Sequence, residues 1–492
     1  MDIRGRDSLT HRIEHPPIRG TALESELAAD GPFAGAAGVA VAGNDQKAVL
    51  IGGLLLAGIL ATLASLTVKV SATQAPLPWI HQVEFNVALF HRLLPHLLTL
   101  PLIAYAVVAW ACVGALWIVY LNLVWRTRFA ASINVPVITA GAVLLSVLAV
   151  IIPSIYSSDV FSYAIFGKIA STYGTNPYLT TANHTAPTDA LMPYVFWRDI
   201  PSPYGPLWTL ISQALTFGKG ATPLELTLRF KVLGCAAVLL DGFLIYQLVK
   251  PRWPRQAGWA YMAFAWNPLV LIEGVVVAHN DALILSMVLV GAYVVTRAHR
   301  HIGFGSLVLS ALIKYSTVPL LAVAALPALR TTLARKRPEQ LIRLGIIAAV
   351  LAFAAFAPYW AGGRILLSTA AEPGRGVNNL PAVAFRFAVA GLSGGRLHAS
   401  AGFTSAVALV VFAAWGLRSF WRRSPDAIET STDDMLAAWA ETLIVFLLLW
   451  PRIHTWYFLV PFGLAVAAGP LHQRLFWGIA VLSVLSYSSY VF

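Results

Sequence analysis

The sequence predicts an all-α, polytopic transmembrane protein of about 13 helices, and three observations lead to this fold class. Hydrophobic residues make up 58% of the 492 residues and charged residues only 11%, whereas soluble domains carry about a quarter charged. The mean hydropathy is +0.71. Apolar segments of roughly 17–25 residues recur, each long enough to cross a bilayer core as a helix. Backbone groups cannot stay unpaired in lipid and the alternation of a barrel is absent, so these segments are expected to be helices.

The predicted spans are separated by polar intervals of unequal length. Residues 1–46 are polar and mixed in charge, which predicts a disordered cytoplasmic tail, and 47–492 form the membrane domain. With edges uncertain by several residues, the spans cover about 47–70, 98–124, 133–153, 224–249, 257–277, 281–297, 302–316, 317–333, 341–359, 402–420, 436–451, 455–471 and 474–491.

The net charge of +12 does not indicate nucleic-acid binding, because the basic residues form short clusters between predicted spans. Such clusters are typical of cytoplasmic loops. The cluster 125–128 places the two large polar intervals, about 154–223 and 360–401, on the outer face. Residues 204–217 are short, Pro-punctuated and aromatic, which predicts an interfacial helix. Cys112 and Cys235 lie inside apolar runs and suggest neither a disulfide framework nor a metal site.

Asp159 opens the first outer interval and is the candidate general base. Ser157 and Ser158 precede it, so one of them is expected to cap a helix whose first turn holds the carboxylate, where the helix dipole favours an anion. Tyr163, four residues on, shares its face. The alternative is that Asp159 only caps a helix in a loop. Lys168 is expected to point away from Asp159 and to extend toward the interface.

Polar residues also interrupt the later apolar spans. His279, Asn280 and Asp281 separate two spans without a Gly or Pro turn, and ionisable groups so close to hydrocarbon usually face a cavity. A tight turn in which Asn280 or Asp281 caps the following helix is the alternative. Glu273 and Asp241 lie within spans and are interpreted as structural.

Two further sites carry positive charge at span ends. Lys314 is an isolated cation in a long apolar stretch, and it could bind a lipid-linked phosphate as a point charge or extend toward the interface. Arg452 and His454 stand between two spans with aromatic residues on either side. They could bind a phosphate, or they could contact lipid headgroups.

These motifs, taken in order, resemble the GT-C superfamily of integral-membrane glycosyltransferases. The likeness is greatest to the polyprenyl-phosphate-mannose-dependent α-(1→6)-mannopyranosyltransferases of bacterial envelopes, and it covers about residues 135–460. The motifs that carry it are Ser158-Asp159-Val160-Phe161-Ser162-Tyr163, Gly174-Thr175-Asn176-Pro177-Tyr178, Ser202-Pro203-Tyr204-Gly205-Pro206-Leu207-Trp208, Trp266-Asn267-Pro268, Ala278-His279-Asn280-Asp281-Ala282 and Lys314-Tyr315.

The resemblance implies a GT-C-like fold with a large first outer loop that carries interfacial helices. It also implies that Asp159 is the catalytic base and that Lys314, His279 and His454 hold the donor phosphate. The full set of predicted substrate-binding residues is Tyr163, Tyr204, His279, Asn280, Asp281, Lys314, Arg452 and His454.

The activity implied is transfer of a hexose, expected to be mannose, from a polyprenyl-phosphate sugar to a glycan or glycolipid hydroxyl. Transfer would invert the anomeric centre and form α-1,6 linkages in envelope glycan synthesis. It would occur at the outer face of the bacterial cytoplasmic membrane, with no metal and no cofactor beyond the donor. Three alternatives stay open: a transporter or flippase of lipid-linked sugars, a polymerase or ligase of lipid-linked glycans, and an enzyme that uses glucose, arabinose or galactose.

Overall fold

The computed structural model describes residues 34–65, 102–130, 133–152, 154, 157–218, 220–366, 378–393, 400–422 and 431–487. Residues 1–33 of the predicted tail, and parts of several predicted spans and loops, lie outside these ranges. Helices dominate the described residues, which contain no β-strand and only an isolated bridge between Ala361 and Gly363. The predicted all-α class is confirmed. The first described helix begins at Ala34, inside the segment predicted as a disordered tail.

Eighteen α-helices are described, and short 3₁₀ turns join several of them. The helices are α1 (Ala34–Ser65), α2 (Leu102–Thr127), α3 (Val135–Ile151), α4 (Asp159–Ser171), α5 (Ala182–Thr185), α6 (Pro206–Leu215), α7 (Pro223–Val249), α8 (Ala257–Ala265), α9 (Pro268–Leu271), α10 (Asp281–Val295), α11 (Arg300–Ile313), α12 (Val318–Arg335), α13 (Glu339–Phe356), α14 (Leu380–Leu392), α15 (Ala401–Arg422), α16 (Thr432–Leu449), α17 (Leu459–Ala467) and α18 (Gln473–Ser486).

Six of these helical segments are long and apolar enough to cross a membrane, or seven if one bent pair counts as a span. They are Asp45–Ala64, Val107–Thr127, Pro223–Val249, Tyr315–Arg335, Glu339–Tyr359 and Gly402–Ser419. Shorter apolar helices of 10–17 residues occupy other predicted spans. The polytopic membrane fold is therefore confirmed, while the number of about 13 spans stays a prediction.

Local sequence signals explain where the helices begin. Thr222 and Glu225 form a reciprocal capping box at the start of α7, with Pro223 at its first position. The side chain of Asn134 accepts a hydrogen bond from the backbone of Val137 at the start of α3. These caps satisfy backbone N–H groups that have no partner within the helix.

The segment predicted as a single span over 257–277 is bent. Helix α8 and the Pro268–Val276 segment meet at 49°. Pro268 has no N–H to continue the preceding helix, and the Asn267 side chain instead accepts from the backbone N–H of Leu269 at 2.7 Å. The second half ends as a π-helix over Ile272–Val276, a form that often occurs at functional sites.

The first outer interval packs against the end of α11. The predicted interfacial segment 204–217 contains the 10-residue helix α6, which is too short to cross a bilayer. The N–H of Gly205 donates to the carbonyl of Ile313 at 3.0 Å. A Cβ atom at Gly205 would lie 2.1 Å from the Leu312 carbonyl oxygen, so only glycine permits this approach. The contact places Tyr204 beside Lys314.

Candidate active site

Asp159 is the first residue of α4, so its carboxylate lies at the positive end of that helix. Its side chain is 15% exposed. The helix starts after Ser158, whose side chain makes no capping bond, while the Ser157 hydroxyl accepts from the Asp159 N–H at 3.2 Å. Of the two predicted caps, Ser157 is therefore the one that binds the backbone.

The Asp159 carboxylate also contacts Trp197, in a later part of the same loop, and lies near His279, which follows the bent span. The indole N–H of Trp197 donates to Oδ1 at 3.1 Å. His279 Nε2 lies 3.8 Å from Oδ2, too far for a hydrogen bond. Trp197 thus orients the carboxylate, while His279 lies near it without a hydrogen bond.

His279 belongs to a buried polar chain that reaches Ser157. Its Nδ1 is 3.0 Å from Glu273 Oε2, and its Nε2 is 3.3 Å from the Ser157 hydroxyl. Burial, and then the charge of nearby Lys314, hold the pKa of His279 well below its usual range, so the ring is neutral. In the tautomer in which Nδ1–H donates to Glu273, the Nε2 atom accepts from the Ser157 hydroxyl.

The turn that carries His279 has a strained backbone. Ala278 adopts φ +59°, in the left-handed region that disfavours residues with a Cβ atom. The backbone N–H of His279 donates to the Glu273 carbonyl at 2.8 Å. The π-helix and the strained turn together direct His279 back toward Glu273.

Lys314 lines the same cavity as Asp159 and Tyr204 and is paired with Asp281. Its ammonium donates to Asp281 Oδ2 at 2.8 Å, and the two side chains are 18% and 2% exposed. The ammonium also lies 4.4 Å from the ring centroid of Tyr457. One side of the charge is thereby neutralised, and the remaining exposed part faces a cavity.

His454 extends the aromatic packing from His279. Its ring stacks on Trp456 at 4.4 Å with an interplanar angle of 2°, and Trp456 stacks on His279 at 4.0 Å. Burial, then the charges of Arg452 and Lys314, lower the pKa of His454 to about 3. His454 is therefore neutral at physiological pH and offers an N–H donor rather than a charge.

The second outer interval holds the turn between α16 and His454 in place. The side chain of Asn379 donates to the carbonyls of Leu447, Leu448 and Trp450. Asn378 forms a reciprocal pair with the backbone of Ile453. These bonds fix the position of Arg452 and His454.

These groups surround a cavity of about 300 Å³ with one carboxylate, two cations and aromatic walls. Its lining residues are Asp159, Trp197, Pro203, Tyr204, Lys314, Tyr315, Ser316, Phe446, Leu447, Trp450, Arg452, His454, Trp456 and Tyr457. A carboxylate opposite cations can accept a proton at one end of a ligand and bind an anion at the other.

Comparison with known proteins identifies the family. The model of the alpha-(1→6)-mannopyranosyltransferase N-terminal domain family matches residues 50–330, more than half of the chain. The chain belongs to this family. No solved structure shows significant similarity to the chain.

Individual relatives are similar to this chain over part of its length. A probable alpha-(1→6)-mannopyranosyltransferase of Mycolicibacterium smegmatis is 32% identical over 160 residues, 30% of this chain and 27% of the relative. An alpha-(1→6)-mannopyranosyltransferase of Mycobacterium tuberculosis is 30% identical over 29% of this chain and 24% of its own length. Alpha-(1→6)-mannopyranosyltransferase A of the same organism is 24% identical over 39% of this chain and 36% of its own length. The match spans about a quarter of the length of the first two relatives.

The predicted site residues of this mannopyranosyltransferase family member fall into two groups. Five line the cavity: Asp159, Tyr204, Lys314, Arg452 and His454. The other four, Tyr163, His279, Asn280 and Asp281, are at most 1% exposed and lie behind the cavity wall. Tyr163 packs edge-on against Tyr204 at 4.8 Å, and the Asn280 amide has no hydrogen-bond partner among the described residues. The catalytic and binding roles of all nine stay predictions.

Other members of the site are visible only in the structure. Trp197, Glu273 and the pair Asn378–Asn379 are not among the predicted site residues, and for Glu273 the sequence favours a structural role over a functional one. Each contacts a residue that is distant in the sequence or belongs to the bent segment. Sequence spacing reveals neither the contact nor the bend. The one available signal was that Glu273 is an acid inside an apolar span.

Lys168 turns away from Asp159, but it does not simply extend to the interface. It forms an ion pair with Asp189, which also accepts from the hydroxyl of Tyr173 at 2.8 Å. Burial acts to raise the pKa of Asp189, but hydrogen bonds from Lys168, the Leu191 backbone and Tyr173 hold it below its usual value. These contacts join α4 to a later part of the first outer loop.

No group of three or more His, Cys, Asp or Glu side chains within the described ranges could hold a metal ion. Cys112 and Cys235 are free cysteines.

Proposed function

We propose that the protein is an inverting mannosyltransferase at the outer face of the bacterial cytoplasmic membrane. It transfers mannose from a polyprenyl-phosphate mannose donor to a hydroxyl of a glycan or glycolipid acceptor and forms an α-(1→6) linkage. The observation that carries the proposal is the cavity of about 300 Å³ in which Asp159 faces Lys314 and Arg452. Family membership supports the sugar and the linkage.

In the proposed reaction, the acceptor hydroxyl attacks the anomeric carbon from the face opposite the phosphate. The bond between that carbon and the phosphate oxygen breaks, and the polyprenyl phosphate leaves with the bonding electrons. Asp159 takes the proton of the attacking hydroxyl. A single displacement by one base inverts the centre, which converts a β-linked donor into an α-linked product. A positioned general base contributes about 10²–10⁴-fold to such a rate.

The donor phosphate would bind between Lys314 and Arg452. Phosphate is a good leaving group near neutral pH, so cations that stabilise its charge suffice and no strong acid is required. Neutral His454 adds an N–H donor. Phe446 and Leu447 form the apolar part of the wall, and they fit the first isoprene units of the lipid.

The buried residues next to the cavity would position Asp159 and Lys314. Asp281 orients Lys314 through their 2.8 Å ion pair. Glu273 and His279 hold Ser157, which binds the backbone N–H of Asp159. For Tyr163, His279, Asn280 and Asp281 we therefore propose positioning in place of direct substrate contact. No cofactor, metal or nucleic acid takes part in the proposed reaction.

A reconstituted transfer assay tests the proposal. The purified full chain in lipid nanodiscs is given polyprenyl-phosphate mannose and an α-1,6-linked oligomannoside. We expect Asp159→Asn to bind the donor as the unchanged protein does and to lose transfer by about 100-fold or more. Asp199→Asn, an exposed acid in the same outer loop, is the matched control and should transfer normally. Normal transfer by Asp159→Asn would overturn the proposal.

Three other readouts separate the alternatives. Movement of lipid-linked sugar across a vesicle membrane without a new glycosidic bond would indicate a transporter. Joining of whole lipid-linked glycans would indicate a polymerase or ligase. Transfer only from glucose, arabinose or galactose donors would retain the enzyme class and correct the sugar.

A further inference from the structure

The last turn of α16 is bound by an asparagine from a distant part of the sequence. Pro451 has no N–H and cannot continue that helix, so its final carbonyls need partners from elsewhere. The amide nitrogen of Asn379 lies 3.2, 2.8 and 2.7 Å from the carbonyl oxygens of Leu447, Leu448 and Trp450. Carbonyl oxygens only accept hydrogen bonds, so the NH₂ group must face them. Asn379 therefore caps the C-terminal end of α16.

Asn379 has this role although it directly precedes Leu380, the first residue of α14. An asparagine side chain in that place ordinarily accepts a hydrogen bond from the first turn of the helix that it precedes. Among the described residues, the Asn379 side chain makes no such bond to α14. It is 4% exposed and is directed to α16 instead. Its position thus serves a second helix and not its own.

The neighbouring Asn378 binds the turn that follows α16. Its side chain donates to the Ile453 carbonyl at 2.9 Å and accepts from the Ile453 N–H at 2.8 Å. The backbone N–H groups of Asn378 and Asn379 both donate to the Pro451 carbonyl, at 3.2 and 3.1 Å. All these contacts are to backbone atoms of residues 447–453. The asparagine pair, Asn378 and Asn379, therefore holds the backbone of this segment in place.

The segment held by the asparagine pair forms one wall of the proposed active-site cavity. Five of its residues, or residues directly next to it, line that cavity: Phe446, Leu447, Trp450, Arg452 and His454. Neither asparagine is among the lining residues, so the pair supports the wall from outside the cavity. In the proposed reaction this wall binds the donor phosphate and the first isoprene units.

Other contacts position the remaining charged groups of the cavity. The Asp159 carboxylate is bound by the indole of Trp197 at 3.1 Å, and the Lys314 ammonium is paired with Asp281 at 2.8 Å. A displacement of residues 447–453 would therefore move Arg452 relative to Lys314 and leave the proposed base in place. The donor wall and the base are positioned by separate sets of hydrogen bonds.

We propose that Asn378 and Asn379 are positioning residues for the donor. They fix the separation between Arg452 and Lys314, and thereby the affinity for polyprenyl-phosphate mannose. This inference rests on the proposed function, which places the donor phosphate between those two cations. Misplacement of a binding group by about 1 Å can change enzyme activity by about 100-fold, so small shifts of this wall matter.

Steady-state kinetics of the purified full chain in lipid nanodiscs test the proposal, with a short-chain polyprenyl-phosphate mannose and an oligomannoside acceptor. Asn379→Asp keeps the shape of the side chain and is a favourable cap for α14, but it replaces the NH₂ donor with an acceptor. We expect the donor KM to rise about tenfold, with little change in kcat or in the acceptor KM. Asn379→Gln retains the amide donor and should recover part of the affinity.

Asn378→Ala is a milder variant of the same contact, because Asn378 is exposed and only its pair with Ile453 is lost. The donor KM should rise in this variant too. If Asn379→Asp does not fold, Asn378→Ala provides the test. An unchanged donor KM in the folded variants, or an equal rise in the acceptor KM, would overturn the proposal.

Asn176→Ala is the matched control. Asn176 also donates from its amide to a distant backbone, the Tyr359 carbonyl at 2.7 Å, and neither residue lines the cavity. Its replacement should lower the melting temperature and leave the donor KM unchanged. A purely structural role of the asparagine pair would give the same pattern, because loss of folded enzyme lowers the apparent kcat and does not change KM.

Direct binding separates this inference from the proposed function. Equilibrium binding of polyprenyl-phosphate mannose to Asp159→Asn measures donor affinity without turnover, and adding Asn379→Asp should weaken it about tenfold. If the unchanged protein transfers mannose and this binding is not weakened, the inference fails and the proposed function stands. If binding is weakened and the unchanged protein transfers no sugar, the proposed function fails and the positioning role is supported.

Discussion

The indole N–H of Trp197 and the carboxylate of Asp159 form a hydrogen bond of 3.1 Å across 38 residues of the first outer loop. The bond holds Oδ1 in a defined direction and joins the interior of the loop to its beginning. Because both residues line the cavity, it couples the orientation of the proposed base to the closure of the loop.

Trp197→Phe removes that hydrogen bond and keeps an aromatic ring. Hydrogen bonds to charged groups contribute about 1.5–3 kcal/mol, so we expect kcat for mannosyl transfer to fall by about tenfold or more, with little change in the KM for the donor. Trp253→Phe is the matched control, since it removes an indole bond to Asp433 away from the cavity. A larger change in KM than in kcat would show that Trp197 binds substrate and does not orient Asp159.

Glu273→Leu tests the buried chain behind Asp159. The substitution leaves His279 Nδ1–H without its acceptor in a fully buried position, which costs about 1–3 kcal/mol. We expect a lower melting temperature and reduced kcat, because His279, the partner of Ser157, is no longer held by Glu273. Glu273→Gln retains an oxygen acceptor and should recover most of the stability. Equal loss in both variants would mean that shape, and not the hydrogen bond, matters at this position.

Lys314→Met should affect donor binding and stability separately. Loss of the ammonium raises the donor KM and leaves the buried Asp281 carboxylate without its partner, at a cost of about 1–3 kcal/mol. Adding Asp281→Asn removes the stranded charge, so the double variant should regain thermal stability and keep the high KM. If the double variant also regained donor affinity, Lys314 would not be the phosphate ligand.

His454 makes stability depend on pH. The pKa of His454 is about 3 in the folded protein, against about 6.5 for a free histidine side chain, so the unfolded chain binds this proton more readily. The contribution of His454 to the free energy of unfolding is fully present above the pKa of the unfolded state. It falls as the pH drops from about 7 toward 3, by at most about 1.4 kcal/mol per pH unit for one proton. When the pH is lowered from about 7.5 to 5, we expect the melting temperature of His454→Gln to fall less than that of the unchanged protein. An identical loss would contradict the partly buried, neutral state of His454.

The sequence predicted those parts of the molecule that depend on composition and local order. Apolar segment length gave the all-α membrane class, and Asp159 and Lys314 stood out because each is an isolated charge beside hydrocarbon. Hydropathy could not show the 49° bend between Ala265 and Pro268, because the two halves together pass as one apolar span.

The remaining site residues depend on tertiary contacts. Trp197 acts on a carboxylate 38 positions away, and Asn379 binds carbonyls about 70 positions further on. Nothing in the local sequence of either residue indicates its partner. The bent span packs against α10, and this packing buries His279 and Asp281. These two predicted substrate-binding residues therefore do not line the cavity.

The left-handed backbone at Ala278 has a consequence for how the protein responds to heat. A residue with a Cβ atom is about 1–2 kcal/mol less stable there than in a right-handed conformation. The turn is therefore maintained by its neighbours, through the bond from His279 to Glu273 and the ring stack with Trp456. When heating weakens these contacts, the backbone at Ala278 lowers its free energy by leaving the left-handed conformation. Activity should therefore be lost at a lower temperature than the helical content.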